Sequence, residues 1–326
     1  MNKKLRTFST ISIIACLVHV SVSAQTKSSL SHPTGDSLII NGKKIWYEVE
    51  GSGPPLLLVA GGPGLSHAYF HPYFSTLKDS FQIIYFDAFG CGRSGRDDST
   101  KTYSMAADVE HIEMLRKALK LEQISLLGHS YGGFVAQLYA LRYGSSVSRL
   151  ILCNTIASGT DMQLVLNSLN FEFKQQFPER WQEVMKLRRK GLLSSSPLLQ
   201  QAYDLPGFLY NFYNPDNRMK MPITEPDLYN PDLWYVIAGK DADFIVGSEL
   251  KRFNVKEKLK SLKMPVLVLA GRFDRNVRPA LTMQYKTLIP KAKFIMLERS
   301  GHFPFLEETE ATMMHIRRFL SDDLKR

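Results

Sequence analysis

Gly128-His129-Ser130-Tyr131-Gly132 lies between two stretches of opposite character. Before it, Gln123-Ile124-Ser125-Leu126-Leu127 reads as a buried strand. After it, Phe134-Val135-Ala136-Gln137-Leu138-Tyr139-Ala140 reads as a helix packed through small and apolar residues. A G-x-S-x-G pattern arises often by chance, but at a strand-to-helix junction it carries a mechanism. The turn is so tight that side chains two residues either side of the serine would collide, which calls for glycine at both places. Gly128 and Gly132 meet that demand, and Gly133 lets the helix approach the sheet. Ser130 is therefore the candidate nucleophile.

A serine hydroxyl needs a base, and the base needs an orienting acid. Asp274 follows the apolar strand Pro265-Val266-Leu267-Val268-Leu269-Ala270-Gly271, and His302 follows a second strand, Ala292-Lys293-Phe294-Ile295-Met296-Leu297. Each sits just past the carboxyl end of a strand, where open parallel sheets build their sites. Alone, Asp274 reads equally as a turn former or helix cap, and His302 as a satisfied loop histidine. Taken jointly with Ser130, they give the order Ser, Asp, His of a catalytic triad. Acyl transfer also needs donors for the developing oxyanion. The backbone N–H of Tyr131 is one. The loop Gly61-Gly62-Pro63-Gly64, after the strand Pro55-Leu56-Leu57-Leu58-Val59-Ala60, is expected to give the second from Gly62; its plain reading is a tight turn.

Three stretches together, Gly61 to Gly64, Asp87-Ala88-Phe89-Gly90-Cys91-Gly92-Arg93-Ser94, and Gly128 to Gly133, resemble the proline iminopeptidase branch of the α/β-hydrolases. That branch includes the tricorn-interacting aminopeptidases. The resemblance runs from about residue 37 to the end and is weakest between about 156 and 235. The branch carries H-G-G-P-G and D-Q-x-G-x-G-x-S, whereas this chain has Ala60 for the histidine and Ala88 for the glutamine. The resemblance implies an α/β-hydrolase fold: a mostly parallel sheet, helices on both faces, and an inserted helical cap. It also implies carboxylates near the cap and the acid loop that hold a substrate α-amino group. Asp243, in Ala238-Gly239-Lys240-Asp241-Ala242-Asp243-Phe244, matches one of them. The position after the catalytic acid, which can carry another, holds Arg275. A cation there would repel an ammonium group and attract a carboxylate or carbonyl, or else point to solvent.

The rest of the chain fits that outline. Asn41-Gly42 is a hairpin signal between two strands within residues 37–50. Strands and helices then alternate to Thr155, as a parallel sheet with helices on both faces requires. From about 156 to 250 the strand pattern stops. Phe171 to Lys190 reads as helix, broken or restarted near Pro178, and an aromatic tract runs from Phe208 through Tyr229, Trp234 and Tyr235. These aromatics are expected to form the core of the cap, with Trp234 taken as substrate-facing. The core resumes at Met264. The expected division is a leader over 1–24, core over 25–155, cap over 156–250, and core again over 251–326.

Lys3, Lys4 and Arg6 precede an interrupted apolar stretch from Ile11 to Val22, and Val22-Ser23-Ala24 offers small residues for cleavage before Gln25. The apolar run is too short to span a bilayer, so the pattern predicts an exported, periplasmic or secreted protein. Lipidation at Cys16 within Ile14-Ala15-Cys16, or an uncleaved interfacial anchor, are the competing readings. Cleavage would remove three basic residues, leaving 38 against 31 acidic and taking the net charge from +10 to +7. That excess is dispersed, and its densest cluster, Lys186 to Lys190, reads as a solvated helix end rather than a nucleic-acid reader. Cys91 and Cys153 would remain, expected as buried free thiols, with one disulfide as the alternative. No His/Cys spacing points to a metal and no phosphate loop to a nucleotide, so no cofactor is expected.

The function expected is a serine hydrolase working through an acyl-enzyme, releasing N-terminal proline or a small apolar residue from short peptides. The alternatives are an esterase or lactonase on a bulky apolar ester and, from another class, a non-catalytic ligand-binding protein. The partner is a small molecule or short peptide; oligomeric state is left open.

Overall fold

Asn41 and Gly42 both take positive φ (50° and 77°), the two-residue turn whose twist suits a hairpin. They join β1 (Gly35–Ile40) to β2 (Lys43–Glu50), paired antiparallel from Gly35 opposite Glu48 to Ile40 opposite Lys43. The computed structural model of the chain describes residues 34–97, 102–203, 208–222 and 228–321. The leader and Cys16 lie outside these residues.

Six further strands follow: β3 (Pro55–Val59), β4 (Gln82–Phe86), β5 (Ile124–His129), β6 (Val147–Cys153), β7 (Val266–Gly271) and β8 (Lys293–Leu297). They lie in the order β1-β2-β4-β3-β5-β6-β7-β8; β2 runs antiparallel to β4, and the pairs from β4 to β8 are parallel. Every residue of β5 and β7 is buried, as expected of strands covered on both faces. Alternation along β3 divides the core. Leu57 and Val59 join a cluster with Val135, Ala136 and Tyr139, while Leu56 and Leu58 join Ile316, Phe319 and Leu320 of the C-terminal helix Thr309–Ser321. Chain order reverses between β3 and β5, so the carboxyl ends of these strands open a crevice at a topological switch point.

Helices α1 (Met105–Ala118) and α2 (Tyr131–Arg142) follow β4 and β5. Between β6 and β7 the chain makes α3 (Gly159–Gln176), α4 (Pro178–Arg189), α5 (Pro197–Ala202), α6 (Phe208–Asn211) and α7 (Asp232–Ala238), with no strand among the described residues. The break at Pro178 falls where the sequence placed it, because proline suits the first turn of a new helix. The first helix starts twelve residues before the expected Phe171. Ser158 begins it: its Oγ accepts the Asp161 N–H (3.1 Å) and donates to the Asp161 carboxylate (2.8 Å), a cap that only the S-x-x-D spacing announces. Lys186, Arg189 and Lys190 are exposed at the end of α4, while Arg188 instead forms a two-pronged contact with Asp241 (2.5 and 2.8 Å).

Candidate active site

Ser130 follows β5 and caps α2 with φ 54° and ψ −121°, a conformation unfavourable for a non-glycine residue and held by its surroundings. Its N–H donates to the Cys153 carbonyl (3.0 Å), and its carbonyl accepts from Thr155 Oγ1 (2.8 Å). A Cβ on Gly128 would overlap the Gly132 carbonyl, and one on Gly132 would overlap the Val59 carbonyl. The glycines at this junction are thus demanded by packing, as the motif requires.

Asp274 lies beyond β7 and is buried. Its Oδ1 accepts the N–H groups of Asn276 (2.9 Å) and Val277 (2.8 Å), and its Oδ2 accepts from Asn154 Nδ2 (2.6 Å). The same Oδ2 is 2.8 Å from His302 Nδ1. An ionised carboxylate only accepts, so Nδ1 carries the proton and the lone pair sits on Nε2. That Nε2 is buried and makes no hydrogen bond among the described residues. Contacts of this kind commonly tighten only once substrate is bound. Asn154 supports both partners, because its Nδ2 also donates to the Gly301 carbonyl (3.1 Å) beside the base.

Gly62 (φ 114°) turns the loop after β3, and Gly61 packs against the nucleophile: a Cβ there would stand 3.1 Å from Ser130 Cβ. Tyr131 opens α2, so its N–H has no partner within the helix and is available to a ligand. A relay of hydrogen bonds ties this loop to the base. The Gly61 N–H donates to Tyr69 Oη (2.8 Å), Tyr69 Oη is 2.9 Å from His129 Nδ1, and His129 Nε2 is 2.8 Å from the His302 carbonyl. A carbonyl can only accept, so His129 carries its proton on Nε2 and accepts a hydrogen bond from the Tyr69 hydroxyl at Nδ1. Burial first, and then the neighbouring His302, push the His129 pKa well below its ordinary value. It stays neutral, as the relay requires.

A second buried network anchors the same loop. The His67 N–H and Nδ1 are both 2.8 Å from Asp87 Oδ1, and Glu48 lies 3.1 Å from His67 Nε2 and 3.3 Å from His71 Nε2. Burial opposes a charge on His67, but Asp87 and Glu48 outweigh it and hold the imidazolium up to about pH 9. Arg93 adds a contact to Glu48 (3.2 Å). Glu48, His67 and His71 are of types and at distances that could hold a metal ion. The charges of His67 and Arg93 already answer those of Glu48 and Asp87.

Of the residues expected to meet substrate, Asp243 and Trp234 lie inside the cap rather than facing it openly. Asp243 is fully buried, with its carboxylate accepting from Trp234 Nε1 (3.1 Å) and Tyr235 Oη (3.2 Å), and Trp234 is only 1% exposed. The two belong together, but inside the cap, where aromatic packing closes the carboxylate to solvent. Arg275 is partly exposed. It pairs with Glu172 of α3, which also binds Arg278 (2.5 Å), and its guanidinium lies 5.2 Å from the Tyr210 ring. Cys91 and Cys153 are buried free thiols, and burial raises the pKa of both. The supporting residues Tyr69, His67 and Asn154 had no sequence assignment. Only Asn154 left a trace, as a polar residue closing an apolar strand in positive φ (47°).

Comparison with known proteins agrees with this geometry. The family described as alpha/beta hydrolase fold matches residues 54–309. A proline iminopeptidase of Heyndrickxia coagulans is 29% identical over 281 residues, covering 84% of this chain and 93% of that protein. One from Lactobacillus delbrueckii subsp. lactis is 30% identical, covering 78% and 85%. Among solved structures, the proline iminopeptidase of Mycobacterium smegmatis superposes with a TM-score of 0.68 at 22% identity, over 89% of this chain and 98% of that one. A thermophilic esterase from Thermogutta terrifontis gives 0.63 at 22%, over 89% and 98%. The chain belongs to the α/β-hydrolase fold family, in its proline iminopeptidase-like branch.

Proposed function

We propose that the protein is an exported serine hydrolase that works through an acyl-enzyme and releases N-terminal proline or small apolar residues from short peptides. The supporting observation is the Asp274–His302 contact beyond the same sheet edge as the strained Ser130, in a chain matched over 84% of its length by a proline iminopeptidase. Ser130 Oγ attacks the carbonyl carbon as His302 Nε2 takes its proton, and the oxyanion forms against the Gly62 and Tyr131 N–H groups. Collapse breaks the bond to the leaving amine, which receives that proton. Water then repeats the sequence on the ester, returning Ser130 and releasing the acid. Asp274 holds the imidazole tautomer and offsets the imidazolium charge. Export rests on the leader pattern, with the mature chain starting at Gln25.

The second reading is a carboxylic-ester hydrolase, favoured by one observation. The carboxylate matched to amine recognition, Asp243, is closed within the cap, and Glu172 is neutralised by two arginines. The measurement that separates the readings is kcat/KM for a free-amine and an N-acetylated aminoacyl arylamide. The peptidase reading expects the free amine to be preferred. Preference for the blocked substrate would hand the assignment to the ester reading. Ser130→Ala should lower either turnover by roughly 10³-fold or more. N-terminal sequencing of the exported fraction tests cleavage before Gln25.

A further inference from the structure

Tyr131 is the first residue of α2, and its backbone N–H is one of the two donors assigned to the oxyanion. The direction of that N–H depends on how the first turn of α2 is held. The Tyr131 ring meets Phe134 edge-on, with 5.7 Å between centroids. It also borders a narrow cavity lined in part by Ala60, Gly61, Gly64 and Ala88. The water-accessible volume is about 30 Å³, room for one or two waters. Close packing normally fixes a buried ring; here small residues and open space take part of its border. The remaining hold is at the tip, where the Tyr131 hydroxyl donates to Asp108 Oδ2 (2.8 Å).

Asp108 is itself firmly seated. It stands in the first turn of α1, which begins at Ser104. Ser104 Oγ accepts the Ala107 N–H (3.0 Å), and the Ser104 carbonyl accepts the Asp108 N–H (3.1 Å). Glu249, far along the chain, accepts the Met105 N–H (2.9 Å), so this turn is anchored from outside the helix too. The helix start also favours a carboxylate at that place. The hydroxyl of Tyr131 is thus tied to a fixed point on a neighbouring helix.

We propose that Asp108 is a positioning residue for the oxyanion site. By holding the Tyr131 hydroxyl against α1 it fixes the first turn of α2, and with it the aim of the Tyr131 N–H. It acts through Tyr131 and not by contact with the reacting atoms. The inference rests on the acyl-enzyme reading and holds whether the scissile bond is an amide or an ester. An oxyanion forms in acylation and again in deacylation, so a loosened donor slows both steps alike. Turnover falls, while KM, which depends on the ratio of the two rates, stays where it was.

Three single variants and one double variant test this on an activated acetyl ester, with competent enzyme counted by fluorophosphonate titration so that misfolded protein drops out. Tyr131→Phe and Asp108→Ala each break the bond, whereas Asp108→Asn keeps an oxygen that can accept it. Removing an oxyanion donor outright costs roughly 10²–10³ in kcat, so loosening one should cost roughly 5- to 50-fold. That loss is expected in Tyr131→Phe and in Asp108→Ala, with KM unchanged, and Asp108→Asn should recover most of it. The double variant, Tyr131→Phe with Asp108→Ala, should be no slower than the slower single, because the two groups act as one unit. Unchanged kcat per competent enzyme in the singles means that the bond is structural only and overturns the proposal. So do losses that multiply in the double variant, or an Asp108→Asn no better than Asp108→Ala. Failure of the underlying reading looks different: the unaltered protein would show no turnover that depends on Ser130 and would take no fluorophosphonate label there.

Discussion

Tyr69→Phe removes one oxygen and tests whether the relay through His129 serves catalysis. The Tyr69 ring is fully buried among Phe70, Phe303 and Phe305, so phenylalanine keeps the packing. What goes are two hydrogen bonds, from the Gly61 N–H (2.8 Å) and to His129 Nδ1 (2.9 Å). Each buried polar group left unsatisfied costs about 1–3 kcal/mol, so the variant should lose about 2–6 kcal/mol. That leaves a folded protein wherever the starting stability exceeds the loss, as it does over most of the usual range of roughly 5–15 kcal/mol. The catalytic effect is separate. Gly61 precedes Gly62, the proposed oxyanion donor, and losing such a donor outright costs about 2.7–4 kcal/mol. Loosening it should forfeit part of that, lowering kcat roughly 10- to 100-fold with little change in KM. Steady-state kinetics on an activated ester, paired with thermal melting, read both effects. Tyr139→Phe is the control, because its hydroxyl binds Glu113 (2.8 Å) far from the site; it should cost stability without touching kcat. If Tyr69→Phe behaves like that control, the relay is structural only and the reasoning fails.

Three further outcomes are expected. Asp274→Asn should stay folded yet lose activity by orders of magnitude, since an amide favours the wrong imidazole tautomer; a fully active variant would place the acid elsewhere. His67 is held protonated to about 9, above the ordinary 6.5, so its stabilisation is full below about pH 6.5 and is lost as pH rises through about 9. Of roughly 3 kcal/mol in total, the share visible as the urea-midpoint difference between the unaltered protein and His67→Gln should shrink from pH 6 to 9.5, and a constant difference would contradict it. Cys91 and Cys153 should react with a thiol reagent only after unfolding, and reductant should leave the melting temperature unchanged; rapid labelling of the folded protein would count against their burial.

The residues legible in the sequence were those whose backbone neighbourhood announces them. Ser130 stands between glycines that packing demands, and Asp274 and His302 each close an apolar strand. What sequence does not show is which distant side chains meet. Tyr69 sits in a short helical turn without periodicity, and only the fold brings its hydroxyl to His129. Asp243 was matched by resemblance, but matching says nothing of the Trp234 and Tyr235 groups that close over it. Ala60 and Ala88 stood out as departures from the branch motif; that they face one cavity with Asp108 is a fact of three dimensions.

One cap residue has an unexpected reach. The carbonyl of Asn211, at the end of α6, accepts the His302 N–H (2.7 Å), and its side-chain oxygen accepts from Asn276 Nδ2 (3.2 Å), two residues after Asp274. Gly301 is pressed so closely to the Asn211 carbonyl that a Cβ would not fit. The cap is therefore stitched to the loops that carry His302 and Asp274, and it cannot lift away at this point without displacing both. A shortened enzyme lacking the insertion would not become a more permissive hydrolase with an open cleft. It would lose the register of His302 against Asp274, and with it the turnover of even the smallest ester.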